Sequence, residues 1–294
     1  MEAKSLRSLK CSPDHYARAF KAFRDRCSEV SGIPDWIGTV FSDAVVNKLQ
    51  VTPEGQEGLR VLGIGSGSGE IDCLMLERFL QRFPRIYNCV VEPVPVMVDQ
   101  YKSLVQSMAP ELQGVHCDWH MTTMQQYQEA GSPTKYHFIG AIHSIYFVNG
   151  VDKWMASLYD MLAPGGIMLM VLNSDTSGLC RFQDSLISIL GRSKCIMSDA
   201  ILRSLDRQSI PYALSHQKSL LDITTCFKED SEDRRLLLDF LTDVVDFQGT
   251  AAEEQQRSVL ESLASGDCST RDGEKVWLRT DWDAVFVQKP AKAE

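Results

Sequence analysis

The sequence lacks long hydrophobic runs and any excess of basic residues. No apolar run approaches the roughly 20 residues that a membrane-spanning helix needs. The formal net charge of −9 is unfavourable for a nucleic-acid partner, because binding to phosphates requires clustered Lys and Arg side chains. We therefore expect that the protein binds neither a membrane nor a nucleic acid.

Closely spaced pairs of cysteines are also missing. The nine cysteines lie between Cys11 and Cys268 without a CxxC pair, so their spacing indicates neither a zinc site nor a disulfide framework. Free, buried thiols are typical of a reducing compartment, and residues 1–16 (MEAKSLRSLKCSPDHY) are too polar for a secretory signal. We expect a cytoplasmic protein with free thiols and no bound metal.

A regular alternation of short apolar runs with amphipathic stretches is present between about residues 60 and 210. With 294 residues, the chain is long enough to bury a sizeable core. The alternation predicts βαβ units around a parallel sheet. We predict strands over 60–64, 86–92, 115–120, 136–142 and 166–172, and helices over 70–82, 96–108 and 151–162.

The alternation loosens beyond residue 175. Helical patterns cover 198–207, 234–247 and 253–263, and the alternating apolar positions of 276–288 (VWLRTDWDAVFVQ) predict the last strands. Near the start of the chain, residues 15–27 place Tyr16, Phe20 and Phe23 on one helical face.

Three alternating glycines follow the first predicted strand. Gly65, Gly67 and Gly69 permit a tight turn and a close approach of the backbone to a ligand, and the next helix directs its free N–H groups to the same place. Glu92 ends the second predicted strand, at a spacing from which a carboxylate can accept both hydroxyls of a ribose. These residues predict a nucleotide-like ligand.

The stretch Leu162-Ala163-Pro164-Gly165-Gly166 stands before an apolar strand. It resembles the LxPGG turn of class I methyltransferases, which use S-adenosylmethionine (SAM). GxGxG and Glu92 precede it in the order of that superfamily, and alternate glycines suit SAM better than a pyrophosphate. The resemblance implies an α/β, Rossmann-like fold with a central, mostly parallel, seven-stranded sheet and a smaller helical substrate-binding cap.

The chain resembles histamine N-methyltransferases along nearly its whole length. The similar stretches occur in the same order in both: RSL (7–9), HYARAFKAF (15–23), IGSGSGEID (64–72), VVEP (90–93), QYKSLV (100–105), WH (119–120), IYFV (145–148), SDAI (198–201), DITTCF (222–227) and LLDFLTDVVDF (237–247).

The resemblance assigns a set of residues to the cofactor: Gly65, Ser66, Gly67, Gly69, Glu92, Met97, Thr123 and Ile142. Met97 stands where the family has a glutamine. The alternative interpretation of Thr123 is a plain helix N-cap.

The resemblance also implies a substrate site. Glu29 matches the acidic residue that holds the amine end of the substrate, and Glu29 and His143 are the predicted catalytic residues. The other predicted substrate-binding residues are Tyr16, Phe20, Tyr146, Phe147, Phe240 and Thr280. Without the family, Glu29 is a solvated acid, and Tyr146 and Phe147 are core residues.

Departures from the family concentrate in the substrate half. His143 replaces a glutamine and Thr280 an asparagine, and two family tryptophans fall near Leu179 and Gln183. Histidine titrates near neutral pH, so His143 can accept a proton from the reacting nitrogen. The alternative is a packed histidine that is hydrogen-bonded to the chain.

These features predict a monomeric, SAM-dependent N-methyltransferase that acts on histamine or a related small amine or imidazole, by in-line transfer to a neutral nitrogen. A methyltransferase for another small amine or amino-acid derivative, or a catalytically silent SAM-binding protein, are the alternatives. We expect residues 1–50 to form a helical lid at the substrate site and 51–175 the SAM-binding core. Residues 176–265 then form a largely helical cap with part of the sheet, and 266–294 the strands that complete the sheet.

Overall fold

The computed structural model describes residues 6–50, 58–131, 133–146, 148, 150–193, 195–228 and 231–291. The chain divides into two compact units. The sheet unit comprises Ile33–Leu172, Ile196–Ser215 and Asp283–Glu294, and the helical unit comprises Met1–Gly32, Asn173–Cys195 and His216–Trp282. This division differs from the predicted one, because residues 33–50 belong to the sheet unit and the chain passes between the units several times.

Helices and strands alternate through the middle of the chain, as the apolar pattern predicts. The helices are α1 Pro13–Arg24, α2 Glu29–Trp36, α3 Ser42–Ala44, α4 Glu70–Leu80, α5 Pro95–Ser107, α6 Met124–Glu129, α7 Val151–Met161, α8 Gly178–Leu190, α9 Ser198–Arg207, α10 Glu232–Thr242, α11 Phe247–Thr250 and α12 Glu253–Ala264. The strands are β1 Leu59–Ile64, β2 Ile86–Val91, β3 Val115–His120, β4 Tyr136–Ile142, β5 Leu162–Asn173, β6 Ala213–Gln217, β7 Leu220–Asp222, β8 Ser269–Asp272, β9 Lys275–Arg279 and β10 Trp282–Gln288. Within these described residues, no helix is both long and apolar enough to cross a membrane.

The central sheet has seven strands in the order β3-β2-β1-β4-β5-β10-β6. β3, β2, β1, β4 and β5 run parallel to one another. β1, β4 and β5 are almost continuously buried, which is typical of parallel strands that are covered on both faces. The predicted α/β class and the mostly parallel seven-stranded sheet are thereby confirmed.

The order of the strands reverses direction at β1. The chain moves outward from β1 to β2 and β3 and then returns to β4 on the other side of β1. In open α/β sheets such a reversal leaves a crevice at the carboxyl ends of the two central strands, and ligands bind there. We therefore expect a ligand site at the loops that follow β1, β2 and β4.

The prediction that residues 266–294 complete the central sheet is correct only for β10. β8 and β9 instead form a separate three-stranded sheet with β7. The reason is a tight turn: Asp272 pairs with Lys275, and Gly273 between them has a φ of +56°. β9 therefore folds back antiparallel onto β8.

The predicted helix over 234–247 is interrupted. α10 ends at Thr242, and Asp243 and Asp246 both adopt left-handed backbone conformations. The cause lies in the buried carboxylate of Asp239, which accepts the backbone N–H groups of Asp246 (3.0 Å) and Phe247 (2.8 Å). These bonds start the short helix α11 in a new direction, and Phe247 becomes fully buried in the core of the helical unit.

Candidate functional site

The glycine loop between β1 and α4 lies at the carboxyl end of β1. Gly65 has a φ of +61° and Gly69 a φ of +85°, both in the region that favours glycine. A Cβ at Gly65 would lie 2.5 Å from the Cβ of Ser144, and one at Gly69 would lie 2.0 Å from the ring of Tyr101. The loop is therefore held tightly between the end of β4 and helix α5.

Helix α4 starts immediately after this loop, with Gly69 as its N-cap. The first backbone N–H groups of a helix have no partner within the helix, and they carry the positive end of its dipole. They can therefore hold a carboxylate or another anionic group of a ligand at the loop.

Glu92 follows β2 and is only 5% exposed. Its Oε2 accepts the backbone N–H of Gly67 at 3.0 Å, and its Oε1 accepts the N–H of Val94 at 2.9 Å. Glu92 therefore braces the glycine loop, a role that the sequence analysis did not predict. Each carboxylate oxygen has a second lone pair, so the same side chain can still accept the hydroxyls of a ribose.

The other predicted cofactor residues belong to the same unit. Met97 lies half-buried in the first turn of α5, and Ile142 lies half-buried at the end of β4. Thr123 is exposed and caps α6: its hydroxyl accepts the N–H of Gln126 at 3.2 Å. The structure thus shows Thr123 in the capping role that its sequence context allows. Contact of these three residues with a cofactor stays a prediction.

His143 follows β4 with an unusual backbone conformation. Its φ is +50°, which costs a non-glycine residue about 1–2 kcal/mol. Its N–H donates to the carbonyl of Val171 at 2.9 Å, and its Nδ1 shares a hydrogen bond with the hydroxyl of Tyr146. The two rings stack with centroids 6.0 Å apart. Such a conformation, maintained against its cost, is typical of functional positions.

The loop after β4, which carries His143, packs against the glycine loop. Ser144, next to His143, is the residue that lies against Gly65. The structure thus places the neighbour of the predicted catalytic histidine against the predicted cofactor loop. Phe147, also predicted to contact the substrate, lies outside the described residues.

In the helical unit, three predicted substrate residues form one aromatic cluster. The ring centroids of Tyr16 and Phe20 are 6.0 Å apart, and Phe240 lies 6.2 Å from Tyr16 and 5.6 Å from Phe20. Tyr16 is 36% exposed, and Phe20 and Phe240 are half-buried. The cluster therefore presents aromatic surface to solvent.

Glu29 and Thr280 lie in different surroundings within this unit. Glu29 is the half-buried first residue of α2. Thr280 is fully buried, and its hydroxyl donates to Ser219 at 3.0 Å. The thiol of Cys27 lies 3.8 Å from both of these hydroxyls; burial and the nearby charge of Glu29 raise its pKa. The Thr280 side chain is thus part of a buried hydroxyl cluster.

Asp72 and Tyr101 are further candidate residues of the cofactor site, and the sequence pattern did not predict them. Asp72 lies in the first turn of α4, is 8% exposed and accepts the hydroxyl of Tyr101 at 3.4 Å. Burial is the main cause that raises the pKa of Asp72 to about 6, and the nearby Glu92 raises it further. The only available signal was an acidic residue three positions after Gly69.

Three potential metal ligands also come together on β2 and β3. Cys89, Asp118 and His120 have donor atoms within 4.8 Å of one another, because Cys89 pairs with Asp118 and His120 follows on the same face. His120 Nε2 and Asp118 Oδ2 already share a hydrogen bond of 2.9 Å, and the thiol of Cys89 donates to the hydroxyl of Tyr127 at 3.4 Å. These contacts within the protein account for the cluster, and we assign no ion to it.

Comparison with known proteins gives matches over most of the chain. A family model described as a methyltransferase domain matches residues 39–220. Histamine N-methyltransferase B of Xenopus laevis is 31% identical over 292 residues, which cover 96% of this chain and 98% of the relative. Carnosine N-methyltransferase 2 of Gallus gallus is 30% identical over 281 residues, with 92% and 85% covered.

A solved structure supports the fold independently. The YcgJ protein of Bacillus subtilis matches with a TM-score of 0.53 at 14% identity, and the match covers 84% of this chain and 97% of that chain. The family model, the long matches at about 30% identity and the glycine loop braced by Glu92 agree with one another. The chain belongs to the histamine N-methyltransferase family of SAM-dependent class I methyltransferases.

Proposed function

We propose that this chain transfers the methyl group of SAM to a neutral nitrogen of a small molecule that carries an imidazole ring, an amine, or both. The observation that supports this most directly is the position of His143 in the loop that is held against the glycine loop. This arrangement supports a role for His143 as the group that accepts a proton near the residues proposed to bind the methyl donor.

The residues at the carboxyl end of the sheet fit SAM. The glycine loop allows close approach of the backbone, Glu92 offers carboxylate lone pairs for ribose hydroxyls, and the start of α4 offers N–H groups for the carboxylate of the cofactor. When bound, SAM supplies a methyl group that is activated by the positive charge on its sulfur. The protein therefore has to position the acceptor and keep its nitrogen unprotonated.

His143 is suited to the second task because of its bond to Tyr146. When Nδ1 is protonated and donates to the tyrosine hydroxyl, the acceptor lone pair of the neutral ring is on Nε2. That nitrogen can accept a hydrogen bond, or the proton, from the N–H of the acceptor. Alignment of donor and acceptor is worth up to about 10 kcal/mol of the barrier, so a fixed imidazole contributes by orientation as well as by proton transfer.

Glu29 supports the choice of a cationic or amine-bearing acceptor. Its match to the family's acidic residue implies that it holds a distal positive charge and so orients the reacting nitrogen. The named relatives methylate histamine and carnosine, both of which contain an imidazole ring. Because His143 and Thr280 replace family residues here, we propose this class of acceptor and not histamine alone.

Methyl turnover on a panel of acceptors tests the proposal. The panel contains histamine, carnosine, other small imidazoles and amines without an imidazole, and the product is identified by mass spectrometry. We expect transfer to a nitrogen of at least one imidazole-containing compound. Binding of S-adenosylhomocysteine (SAH) without transfer to any member would instead favour a silent SAM-binding protein.

The cytosolic location and the monomeric state stay predictions. Nine free thiols fit a reducing compartment, and small acceptors require no second subunit. Cell fractionation and light scattering of the purified protein test these two predictions.

A further inference from the structure

Asp72 is a buried carboxylate directly beneath the glycine loop. A Cβ at Gly63, the residue two positions before the loop begins, would lie 2.6 Å from Asp72 Oδ2. On its other side, the same oxygen accepts the hydroxyl of Tyr101, the residue whose ring lies against Gly69. Asp72 is thus enclosed by residues that pack against the glycine loop.

Among the described residues, no basic side chain neutralises the charge of Asp72. Within the described parts of the chain, no Lys, Arg or His forms an ion pair with it. The groups that affect its pKa are Ser66, Tyr101 and Glu92, and only Glu92 carries a charge, of the same sign. With a pKa of about 6, Asp72 is still mostly ionised at neutral pH, so two buried carboxylates lie at this site.

A buried carboxylate without a cation is costly, and such groups are concentrated at functional sites. The positive end of the α4 dipole stabilises Asp72 in part. The remaining negative potential attracts a cation at the loop. SAM carries a permanent positive charge on its sulfur, and SAH, formed when the methyl group leaves, does not.

We propose that Asp72 makes the cofactor site select the charged donor, SAM, over its product, SAH. The negative charge of Asp72 raises the affinity for SAM relative to the affinity for SAH. The small cavity beside Asp72 lies between α4 and strands β1, β2 and β4 and has room for about one water molecule, so no part of the cofactor enters it. Asp72 therefore acts through space and is not a catalytic residue. The inference rests on the SAM cofactor and is independent of the acceptor.

A purely structural role for Asp72 makes a different prediction. If the carboxylate only holds Tyr101 and the glycine loop in place, its removal weakens SAM and SAH by the same factor. If it supplies negative potential, its removal weakens SAM more than SAH, because the two ligands share their amino and carboxylate groups and differ in charge only at the sulfur. The ratio of the two affinities separates these roles.

The experiment is calorimetric titration of SAM, of SAH and of a stable SAM analogue with an ammonium group in place of the sulfonium. These ligands are titrated into the wild type, Asp72→Asn and Asp283→Asn. Asp283 is the matched control because it is also buried in the sheet unit, at 3% exposure, but lies on β10 and accepts from Ser198. In Asp72→Asn, we expect the affinities for SAM and the cationic analogue to fall relative to SAH on the order of tenfold. The control keeps the wild-type ratio.

A second measurement keeps Asp72 unchanged and follows the affinities for SAM and SAH as a function of pH. Among the titratable groups around Asp72, burial raises the pKa of Cys73 to about 12 and raises those of Tyr101 and Cys117, so these three stay neutral below pH 8. As pH falls from 7.5 to 5, Asp72 becomes protonated, and the preference for SAM over SAH should fall. His143→Gln is titrated in parallel, because this removes the histidine beside the loop.

An unchanged ratio in folded Asp72→Asn would overturn the proposal, as would equal weakening of all three ligands. If Asp72→Asn does not fold, a pH-independent ratio in the wild type and in His143→Gln overturns it. Failure of the wild type to bind either SAM or SAH would contradict the cofactor assignment itself, and failure of methyl transfer with the ratio intact would contradict only the proposed acceptor.

Discussion

At the scale of single residues, the candidate site depends on side chains with more than one role. Glu92 both braces the glycine loop and offers lone pairs to a ribose, and His143 combines a left-handed backbone with a fixed ring. Such double roles make single substitutions informative, because binding and structure can be measured separately.

Removal of the Glu92 carboxylate should weaken the cofactor site. Glu92→Ala leaves the N–H groups of Gly67 and Val94 without their acceptor and removes the partner of the ribose hydroxyls. We expect the affinity for SAH to fall by about 1–3 kcal/mol in calorimetry. Glu111→Ala, which removes an exposed acid, serves as the control. Unchanged binding by folded Glu92→Ala would exclude Glu92 from the site.

Glu29 should affect the acceptor and not the cofactor. Glu29→Gln removes the charge while keeping the size of the side chain, so we expect a higher KM for a cationic acceptor, a lower kcat and unchanged SAH binding. Asp25→Asn is the control, because Asp25 is an exposed acid of the same unit, paired with Lys21. Equal steady-state kinetics in Glu29→Gln and the wild type would mean that Glu29 is a surface acid.

At the scale of elements, the parallel strands, their order of appearance and the later helices α9 and α12 were predictable, but the end of α10 and the pairing of β9 were not. The apolar runs of β1, β2, β4 and β5 can be recognised in the sequence, because strands covered on both faces are apolar throughout. The end of α10 depends on the Asp239 carboxylate, and the partner of β9 depends on a turn at Gly273. These are local hydrogen bonds and backbone conformations that hydrophobic periodicity does not report.

The candidate site shows the same division. The glycines, Glu92 and His143 follow strands whose ends were predictable, and the structure places them at one edge of the sheet. Asp72 and the bracing bond from Glu92 to Gly67 could not be predicted, because they depend on which face of α4 is buried and on the path of the loop. The buried position of Thr280 also depends on tertiary contacts with Ser219.

Because the glycine loop packs tightly against α5, we expect a single added methyl group at Gly69 to destabilise the fold strongly. In Gly69→Ala the new methyl group meets the buried ring of Tyr101, which has no room to move. We expect a loss of several kcal/mol in the free energy of unfolding, measured by denaturant titration. Gly131→Ala is the matched control: its φ is +73°, but a Cβ there has no atom within 4 Å, so it should cost only about 1 kcal/mol. Equal losses in the two variants would contradict the tight packing of the loop.

At the scale of the whole molecule, stability and function are opposed at Asp72. The pKa of Asp72 is about 6 in the folded protein, whereas its ordinary value is 3.8. Between these two pH values, the folded state therefore binds more protons than the unfolded state. The free energy of unfolding therefore falls as pH rises through this window, and the full penalty is present at neutral pH.

Asp72→Asn should therefore stabilise the protein at pH 7. Removal of the buried charge is worth up to about 3 kcal/mol, from a shift of about two pKa units. This gain in the free energy of unfolding should shrink as pH falls from 6 to 4. The other carboxylates are present in both proteins, so the difference in unfolding free energy between the variant and the wild type reports Asp72 alone. A gain that does not depend on pH, or a loss at pH 7, would contradict the assignment of a buried charge.

The central claim is that His143, beside the cofactor loop, faces the nitrogen that receives the methyl group. The most direct test is kcat/KM for the best acceptor as a function of pH, in the wild type and in His143→Gln, with each acceptor's own titration measured separately. Imidazolium has no lone pair to accept a proton, so wild-type activity should fall on acidification, and the variant should show a flatter acid limb with its acceptor ranking shifted towards histamine. An identical pH profile and an identical acceptor ranking in the two proteins would show that His143 is a packed histidine and that acceptor choice lies elsewhere.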